Sequence, residues 1–361
     1  MTEKSKVAIV IASADTIHED ISRAFELADA EQALPSDAPV ILKDNITWHK
    51  PFLSANTTPW QLEGSVKWLI ENNRKMIAVH NDTVVTNPHE GLENLKLQKV
   101  YSKYQIDQFF VNDPQSVSWG KWRPQNPMPW LDLVYPEGPE FPEMFHGKSV
   151  LHLPTVKTHV YTTTTGAVKN SFGGLLNTRR HYCHTYIHGV LADLIAVQQE
   201  LHKGIFAIAD GTLAGNGAGP RTMYPVEKNV LIASSDCVAM DAVAARLMGF
   251  DPMSIGYLRE SAERELGKVD ESEIELVGDY VMPGWGFSVK NNFASSVGNS
   301  MWFGPLRYIQ DLFFKTPLVN LFIKGSSVYH DDYWWEKHGK ERMQHIAETS
   351  QWGKLFSEYL D

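Results

Sequence analysis

The chain has 361 residues, of which 43% are hydrophobic and 21% charged, a balance typical of a globular protein with a sizeable core rather than of a disordered chain. Aspartate and glutamate outnumber lysine and arginine by 43 to 33, and the formal charge of -10 makes nucleic acid an unfavourable partner. The two cysteines, Cys183 and Cys237, are too few for a disulfide framework or an iron–sulfur cluster within this chain.

The first residues do not resemble a targeting segment. Residues 1–6 are mostly polar, and the apolar run Val7–Ala12 that follows them is too short for the core of a signal peptide. No apolar stretch reaches the length of a membrane-spanning helix. We therefore expect a protein of the reducing cytoplasm, without a transmembrane segment.

The first eighty residues alternate between apolar runs and amphipathic segments. Val7–Ala12 is a continuous run typical of a buried parallel strand, and residues 15–30 place apolar side chains at helical spacing. Strands over 40–42 and 76–79 and a helix from Pro59 to Glu71 continue the alternation, since proline suits the first helical turn. This order predicts an α/β fold with mostly parallel sheets flanked by helices.

Prolines punctuate residues 111–147, which predicts irregular or edge structure in that stretch. Further elements follow it: strands over 149–153, 205–208, 230–233 and 274–277, and helices over 187–201, 238–248 and 255–266. We expect three domains: an α/β domain over 1–205, a smaller α/β domain with a glycine-rich loop over 206–285, and an aromatic-rich C-terminal extension over 286–361.

The C-terminal extension is richer in aromatic residues than the rest of the chain and carries little net charge. We expect its aromatic side chains to cover the α/β body or a second subunit, which makes a homo-oligomer or a protein partner possible. The alternative is that the apolar segment 312–323 meets a membrane surface or a hydrophobic partner.

Residues 157–184 concentrate the groups that carry chemistry. Imidazole binds metals or moves protons near neutral pH, and burial or nearby positive charge lowers the pKa of a lysine and makes it a better nucleophile or anchor. We predict His159, Lys169 and His184 as catalytic residues and His159 and His184 as metal ligands. For any single histidine, the alternative is a partly buried side chain bonded to the backbone.

Other residues are predicted to bind the ligand or a cofactor. Sites in α/β proteins form at the carboxyl ends of strands, and glycine lets a backbone approach a ligand closely. The segment from Asp210 to Pro220 matches neither a dinucleotide fingerprint nor a Walker loop, and a surface turn is its alternative interpretation. The predicted binding residues are Lys43, Asn45, Lys157, Asn170, Asp210, Gly217 and Gly219.

Two aspartates flank Cys237. We predict that Asp236 caps the helix over 238–248, because its side chain can accept hydrogen bonds from the first helical N–H groups. Asp241 lies in the first turn, where the helix dipole favours a carboxylate. Cys237 itself is expected to be a small core residue.

These motifs resemble those of the domain of unknown function 362 (DUF362) family, over roughly residues 5 to 280. Some members of that family carry an attached ferredoxin-type domain with cysteine clusters; this chain lacks them, so we expect no iron–sulfur cluster. The segments that carry the resemblance are Lys43-x-Asn45, Thr57-Thr-Pro59, Lys157-Thr-His159, Gly166 to Gly173, His184, Asp210-Gly-Thr, Gly217-x-Gly-Pro220 and Asp236 to Gly249.

His159, Lys169 and His184 are also spaced as in the nickel-pincer lactate racemase family, a more distant resemblance. In that family the lysine tethers a nickel-pincer cofactor, and the histidines serve the metal or the proton transfers. Thr158 here replaces a proline of that pattern, and Asn170 departs from it as well. The resemblance implies a transition metal as cofactor, with nickel, iron and zinc all compatible with imidazole ligands.

The leading functional hypothesis is therefore an enzyme, an isomerase or an oxidoreductase, that acts on a small anionic molecule such as a hydroxy or amino acid. The sequence contains neither a Gly-x-Ser-x-Gly elbow nor a His-Glu-x-x-His motif, which disfavours a hydrolase. The alternative is a non-catalytic protein that binds a metal, cofactor or anion and delivers it to a partner, docking through the C-terminal extension.

Overall fold

A computed structural model of the chain describes residues 4–81 and 85–359. Its main sheet runs in the order β12-β1-β11-β10-β7-β2-β3-β4, with β8 attached to β10 and β9 attached to β8, and β5 pairs separately with β6. The strands are β1 (Ser5–Ile11), β2 (Val40–Lys43), β3 (Met76–His80), β4 (Gln108–Phe110), β5 (Trp119–Lys121), β6 (Glu140–Pro142), β7 (Ser149–His152), β8 (Thr155–His159), β9 (Thr163–Thr164), β10 (Ile205–Ala218), β11 (Thr222–Ser234) and β12 (Ile274–Gly278).

Most strand pairs of the main sheet are parallel, and helices flank it. The exceptions are the antiparallel pairs that β11 makes with β1 and β10 and that β9 makes with β8. The predicted α/β class is therefore confirmed. The helices are α1 (Ile17–Leu27), α2 (Ala30–Ala33), α3 (Pro59–Glu71), α4 (Pro88–Asn94), α5 (Leu97–Lys103), α6 (Pro129–Val134), α7 (Ala167–Leu175), α8 (Ile187–Leu201), α9 (Cys237–Met248), α10 (Gly256–Glu263), α11 (Phe293–Trp302), α12 (Gln310–Phe314), α13 (Val319–Ser327), α14 (Lys340–Thr349) and α15 (Gln351–Glu358).

Apolar side chains fill both faces of the sheet, as expected where helices cover a parallel sheet on each side. Along β1, Val7 and Ile9 point into one core while Ala8 and Val10 point into the other. This alternation follows from the two-residue period of a strand. It explains why the strand is a continuous apolar run in the sequence.

The glycine-rich segment from Asp210 to Pro220 is mostly strand rather than loop. Its residues 210–218 form the C-terminal part of β10, which pairs with β11 from Ala207 to Ala218 and shifts register once between Gly211 and Leu213. β10 also pairs with β7. Strands from before and after residue 205, the boundary predicted between the first two domains, therefore share one sheet. The division into three domains stays a prediction.

The C-terminal extension packs against the α/β body with its aromatic side chains. Trp352 is fully buried and lies against Trp60 of α3, with ring centroids 5.4 Å apart. Its indole N–H donates a hydrogen bond of 2.6 Å to the side-chain oxygen of Asn229 in β11. Within residues 4–81 and 85–359, no helix has the length and apolar character needed to cross a bilayer.

Candidate functional site

A cavity of about 530 Å³ lies between the α/β body and the C-terminal extension. One side is formed by the ends of β2 and β8, by α7 and by the 3₁₀-helix Thr178–Tyr186. The opposite side is formed by α11, α12 and α13. Of the predicted site residues, the cavity lining includes Lys43, Asn45, His159, Lys169, Asn170, His184 and Gly219.

The three predicted catalytic residues reach the cavity from three different elements. His159 is the last residue of β8, Lys169 lies in the first turn of α7, and His184 lies in the 3₁₀-helix that precedes α8. The rings of His159 and His184 both contact Tyr161, with centroids 5.7 and 5.9 Å from its ring. The structure thus brings together groups that are 25 residues apart in the sequence.

Asp241 holds the start of α7 in place. Its carboxylate accepts hydrogen bonds from the backbone N–H groups of Ala167 at 2.8 Å and Val168 at 3.2 Å, and from the hydroxyl of Tyr257 at 3.2 Å. A Cβ atom at Gly166 would collide with this carboxylate, and the φ of +145° at Gly166 also favours glycine. Asp241 therefore fixes the helix that carries Lys169. Asp236 caps α9 as predicted, accepting N–H bonds from Val238 and Ala239.

His159 presents a hydrogen-bond donor at its free nitrogen. Its Nδ1 accepts the backbone N–H of Tyr161 at 3.1 Å, so the neutral ring carries its proton on Nε2. Burial holds the pKa of His159 well below its usual value, and the positive charge of Lys169 lowers it further. The imidazole is thus neutral at physiological pH.

His184 has the opposite tautomer. Its Nδ1–H donates to the carbonyl oxygen of His181 at 2.9 Å, which leaves a lone pair on Nε2. The ring stacks on Trp302 of α11 with centroids 4.4 Å apart. Burial lowers the pKa of His184 to about 4. His159 and His184 therefore combine a neutral donor and a neutral acceptor at one cavity.

Lys169 lies over the ring of Phe172, with Nζ 5.6 Å from the ring centroid. Burial lowers the pKa of its amine to about 8, and the positive charge of Arg180 contributes to the shift. A substantial fraction of this amine is therefore uncharged near neutral pH, which is the form that acts as a base or a nucleophile.

Asn45 and Asn170 belong to a hydrogen-bond chain beneath these groups. The amide of Asn45 donates to Asn170 Oδ1 at 3.0 Å, and the amide of Asn170 donates to the carbonyl of Lys43 at 2.9 Å. Lys157 is buried outside the lining and donates to Asn45 Oδ1 at 2.9 Å and to the carbonyl of Ala55 at 2.6 Å. Lys157 thus orients Asn45, which lines the cavity, and its role as a binding residue stays a prediction.

Asp210 and Gly217 do not line the cavity. The carboxylate of Asp210 accepts hydrogen bonds from Thr58 Oγ1 at 2.5 Å, the indole of Trp60 at 3.0 Å and the backbone N–H of Thr212 at 2.7 Å. These bonds tie α3 to β10 and give Asp210 a structural environment. At Gly219, a Cβ atom would collide with the carbonyl of Thr158, so the close approach of the two strands requires glycine there.

Arg221 is a site residue that the sequence reasoning missed. Arg221 lines the cavity, and its Nη1 is buried without a hydrogen-bond partner in the described part of the chain. Its Nη2 donates to Ser326 Oγ of α13 at 3.4 Å. One sequence signal could have identified Arg221: it directly follows the motif Gly217-x-Gly-Pro220, which was already predicted to lie at the site.

Metal binding by His159 and His184 fits this geometry poorly. A metal needs a nitrogen lone pair from each imidazole, but the Nε2 of His159 carries a proton as long as Nδ1 accepts the Tyr161 N–H. Among residues 4–81 and 85–359, no group of three or more histidine, cysteine, aspartate or glutamate side chains is placed to hold a metal ion. The side-chain nitrogens that these backbone bonds leave over are a donor on His159 and an acceptor on His184.

Comparisons with known proteins give matches to part of this chain. The family model described as "Domain of unknown function (DUF362)" matches residues 40–246, a range that contains His159, Lys169, His184 and Arg221. The thylakoid-associated protein sll1697 of Synechocystis sp. is 31% identical over 121 residues, which are 33% of this chain and 37% of that protein. No solved structure matches at the same level of significance. The resemblance to nickel-pincer lactate racemases is not shown by these matches and stays a prediction.

Proposed function

The chain belongs to the DUF362 family. We propose that its cavity is the active site of an enzyme that binds a small organic anion. The enzyme moves a proton on this anion, as an isomerase of a hydroxy or amino acid does. One observation carries this proposal: Lys43, Lys169, Arg180 and Arg221 line the cavity, and its described lining contains no aspartate or glutamate. In a chain whose formal charge is -10, such a lining selects an anion.

Arg221 is the anchor for the anion in this proposal. A guanidinium offers a planar pair of N–H donors that suits a carboxylate or a phosphate. Leaving a buried donor of a charged group unpaired is costly, and Nη1 of Arg221 is such a donor among the described residues. A bound anion gives this donor its partner.

Lys169 and His159 have different roles in the proposed reaction. The neutral amine of Lys169 takes a proton from the carbon next to the carboxylate and becomes an ammonium, while the electron pair of the C–H bond delocalises into the carboxylate. The ammonium then returns a proton to the opposite face of the planar carbon, which inverts the configuration of that carbon and leaves the amine neutral again. The Nε2–H of neutral His159 donates a hydrogen bond to the oxygen on which negative charge develops. His184, with its free Nε2 lone pair, accepts a hydrogen bond or proton from the substrate.

The test is exchange of substrate protons with solvent. A panel of 2-hydroxy and 2-amino acids is incubated with the protein in D₂O, and loss of the α-proton signal is followed by NMR. The proposal predicts exchange of at least one acid, with a rate that rises as pH increases through the Lys169 pKa of about 8. Lys169→Met is expected to slow this exchange by about 10² to 10⁴-fold.

Two arginine variants separate anion binding from general charge. Arg221→Met is expected to weaken binding of the exchanging acid at least tenfold, while Arg259→Met, which removes an exposed arginine outside the cavity, leaves it unchanged. Equal binding by wild type and Arg221→Met, together with no exchange in the panel, would contradict the proposal.

A second function, binding and delivery of the anion to a partner, is favoured by the exposed apolar side chains of the extension. Tyr308 is 79% exposed and Leu312 is 58% exposed, next to the wall of the cavity. Arg221-dependent binding without exchange of any acid in the panel would support delivery over catalysis.

A further inference from the structure

The two sides of the cavity differ in character. The side from the α/β body presents the cationic and imidazole groups described above. The side from the C-terminal extension is mostly apolar, and its lining side chains include Val297, Met301, Trp302, Phe314, Val319, Leu321, Phe322 and Ile323. Resting on the proposed anion-binding function, we propose that the substrate is an amphipathic acid, whose anionic head lies at Arg221 and Lys169 and whose apolar body lies along the extension.

An aromatic ladder connects the polar side of the cavity to the apolar side. The ring of Trp302 stacks on His184 with centroids 4.4 Å apart, and Phe314 stacks on Trp302 at 5.1 Å. Phe322 continues the series at 5.1 Å from Phe314. An apolar body that starts at the head group near His184 therefore has a continuous surface to follow.

The apolar wall is anchored to the body by polar contacts. His181 Nε2 bonds to the carbonyl of Phe314 at 2.9 Å, and Thr185 Oγ1 donates to Gln310 Oε1 at 2.7 Å. Such anchors hold the apolar wall opposite the charged side before a ligand binds, which lowers the entropic cost of binding. The wall is a preformed part of the site.

Beyond the ladder, the apolar lining of the cavity reaches solvent. Leu321 lines the cavity and is nevertheless 66% exposed, and Val297 on α11 lines it and is 39% exposed. Covering this surface with the body of a ligand removes apolar area from water, which is favourable in proportion to the area covered. A short acid such as lactate would reach the cationic groups and leave this wall bare.

The experiment is a chain-length series. Dissociation constants of straight-chain carboxylates from acetate to decanoate are measured by calorimetry at pH 7 with the full-length protein. Burial of each methylene predicts about two- to fourfold tighter binding per carbon once the chain reaches the ladder. The same dissociation constant for all chain lengths would overturn the inference.

Variants distinguish this inference from the function on which it rests. Leu321→Ser changes an exposed side chain; we expect it to abolish the increase in affinity per carbon among the longest acids and to leave acetate binding unchanged. Trp302→Ala is expected to abolish this increase from the middle of the series onward. Arg221→Met is expected to weaken all acids by a similar factor. Short acids that bind through Arg221 with no gain from chain length would refute the amphipathic substrate and leave the anion site intact, whereas no binding at any length would refute both.

Discussion

The amine of Lys169 provides a quantitative prediction, because burial lowers its pKa to about 8. At pH 7 about one tenth of such an amine is uncharged, whereas about 0.04% of an ordinary lysine with a pKa near 10.4 is uncharged. The neutral fraction of Lys169 therefore exceeds that of a solvent-exposed lysine by a factor of roughly 200. Only the neutral form reacts with an acylating reagent.

The assay is competitive acetylation over a pH series from 6 to 11. Trace acetic anhydride labels the folded protein together with Nα-acetyl-lysine as an internal reference, and mass spectrometry quantifies the peptide that contains Lys169. The midpoint of the labelling curve reports the pKa independently of the absolute reactivity of the amine. We expect a midpoint near pH 8 for Lys169.

Arg180→Met tests the cause of the shift. Burial is the main reason for the low pKa, and the positive charge of Arg180 contributes. Removing that charge is therefore expected to move the Lys169 midpoint upward, toward but not up to that of the reference amine. A Lys169 midpoint equal to that of Nα-acetyl-lysine in the wild-type protein would refute this account of the site.

Three further predictions concern the framework of the site. Gly166→Ala pushes a Cβ atom into the Asp241 carboxylate and is expected to lower the free energy of unfolding by about 2 kcal/mol, measured with urea; an unchanged midpoint would contradict this packing. Burial opposes ionisation of Glu63, but hydrogen bonds from Lys103, Tyr359 and Tyr104 outweigh it and lower its pKa to about 2. The stability advantage of wild type over Glu63→Gln, up to about 3 kcal/mol, is therefore complete above pH 4.5 and lost as pH falls to 2, and an advantage independent of pH would contradict it. Trp352→Ala is expected to cost about 4 kcal/mol in the same urea assay, because the side chain is fully buried against Trp60, and a cost below 1 kcal/mol would show that the extension is not packed there.

Several elements were predictable because their signals are local. Helix α3 begins at Pro59 and ends at Glu71 as predicted, since proline is favoured in the first helical turn. Helix α8 spans Ile187–Leu201 as predicted, because its apolar residues follow a helical period. His159, Lys169 and His184 share one cavity because β8, α7 and the 3₁₀-helix follow one another closely in the chain.

The features that were missed depend on contacts between distant residues. The glycines of β10 resemble a loop, and only pairing with β11 makes the segment a strand. Arg221 gains its importance from burial beside Ser326, more than a hundred residues later in the sequence. The role of Trp302 as a wall of the cavity likewise arises from its stacking on His184. Composition and spacing carry no information about such pairs.

The central claim is that Lys169 and Arg221 face one anion-binding cavity, and ligand protection of Lys169 tests it most directly. Acetylation at pH 8 is measured with and without saturating decanoate, and Lys354, an exposed lysine on α15, serves as the matched control. We expect decanoate to slow acetylation of Lys169 at least tenfold in the wild-type protein, to leave Lys354 unchanged, and to lose most of this protection in Arg221→Met. Equal acetylation of Lys169 with and without decanoate would contradict the claim.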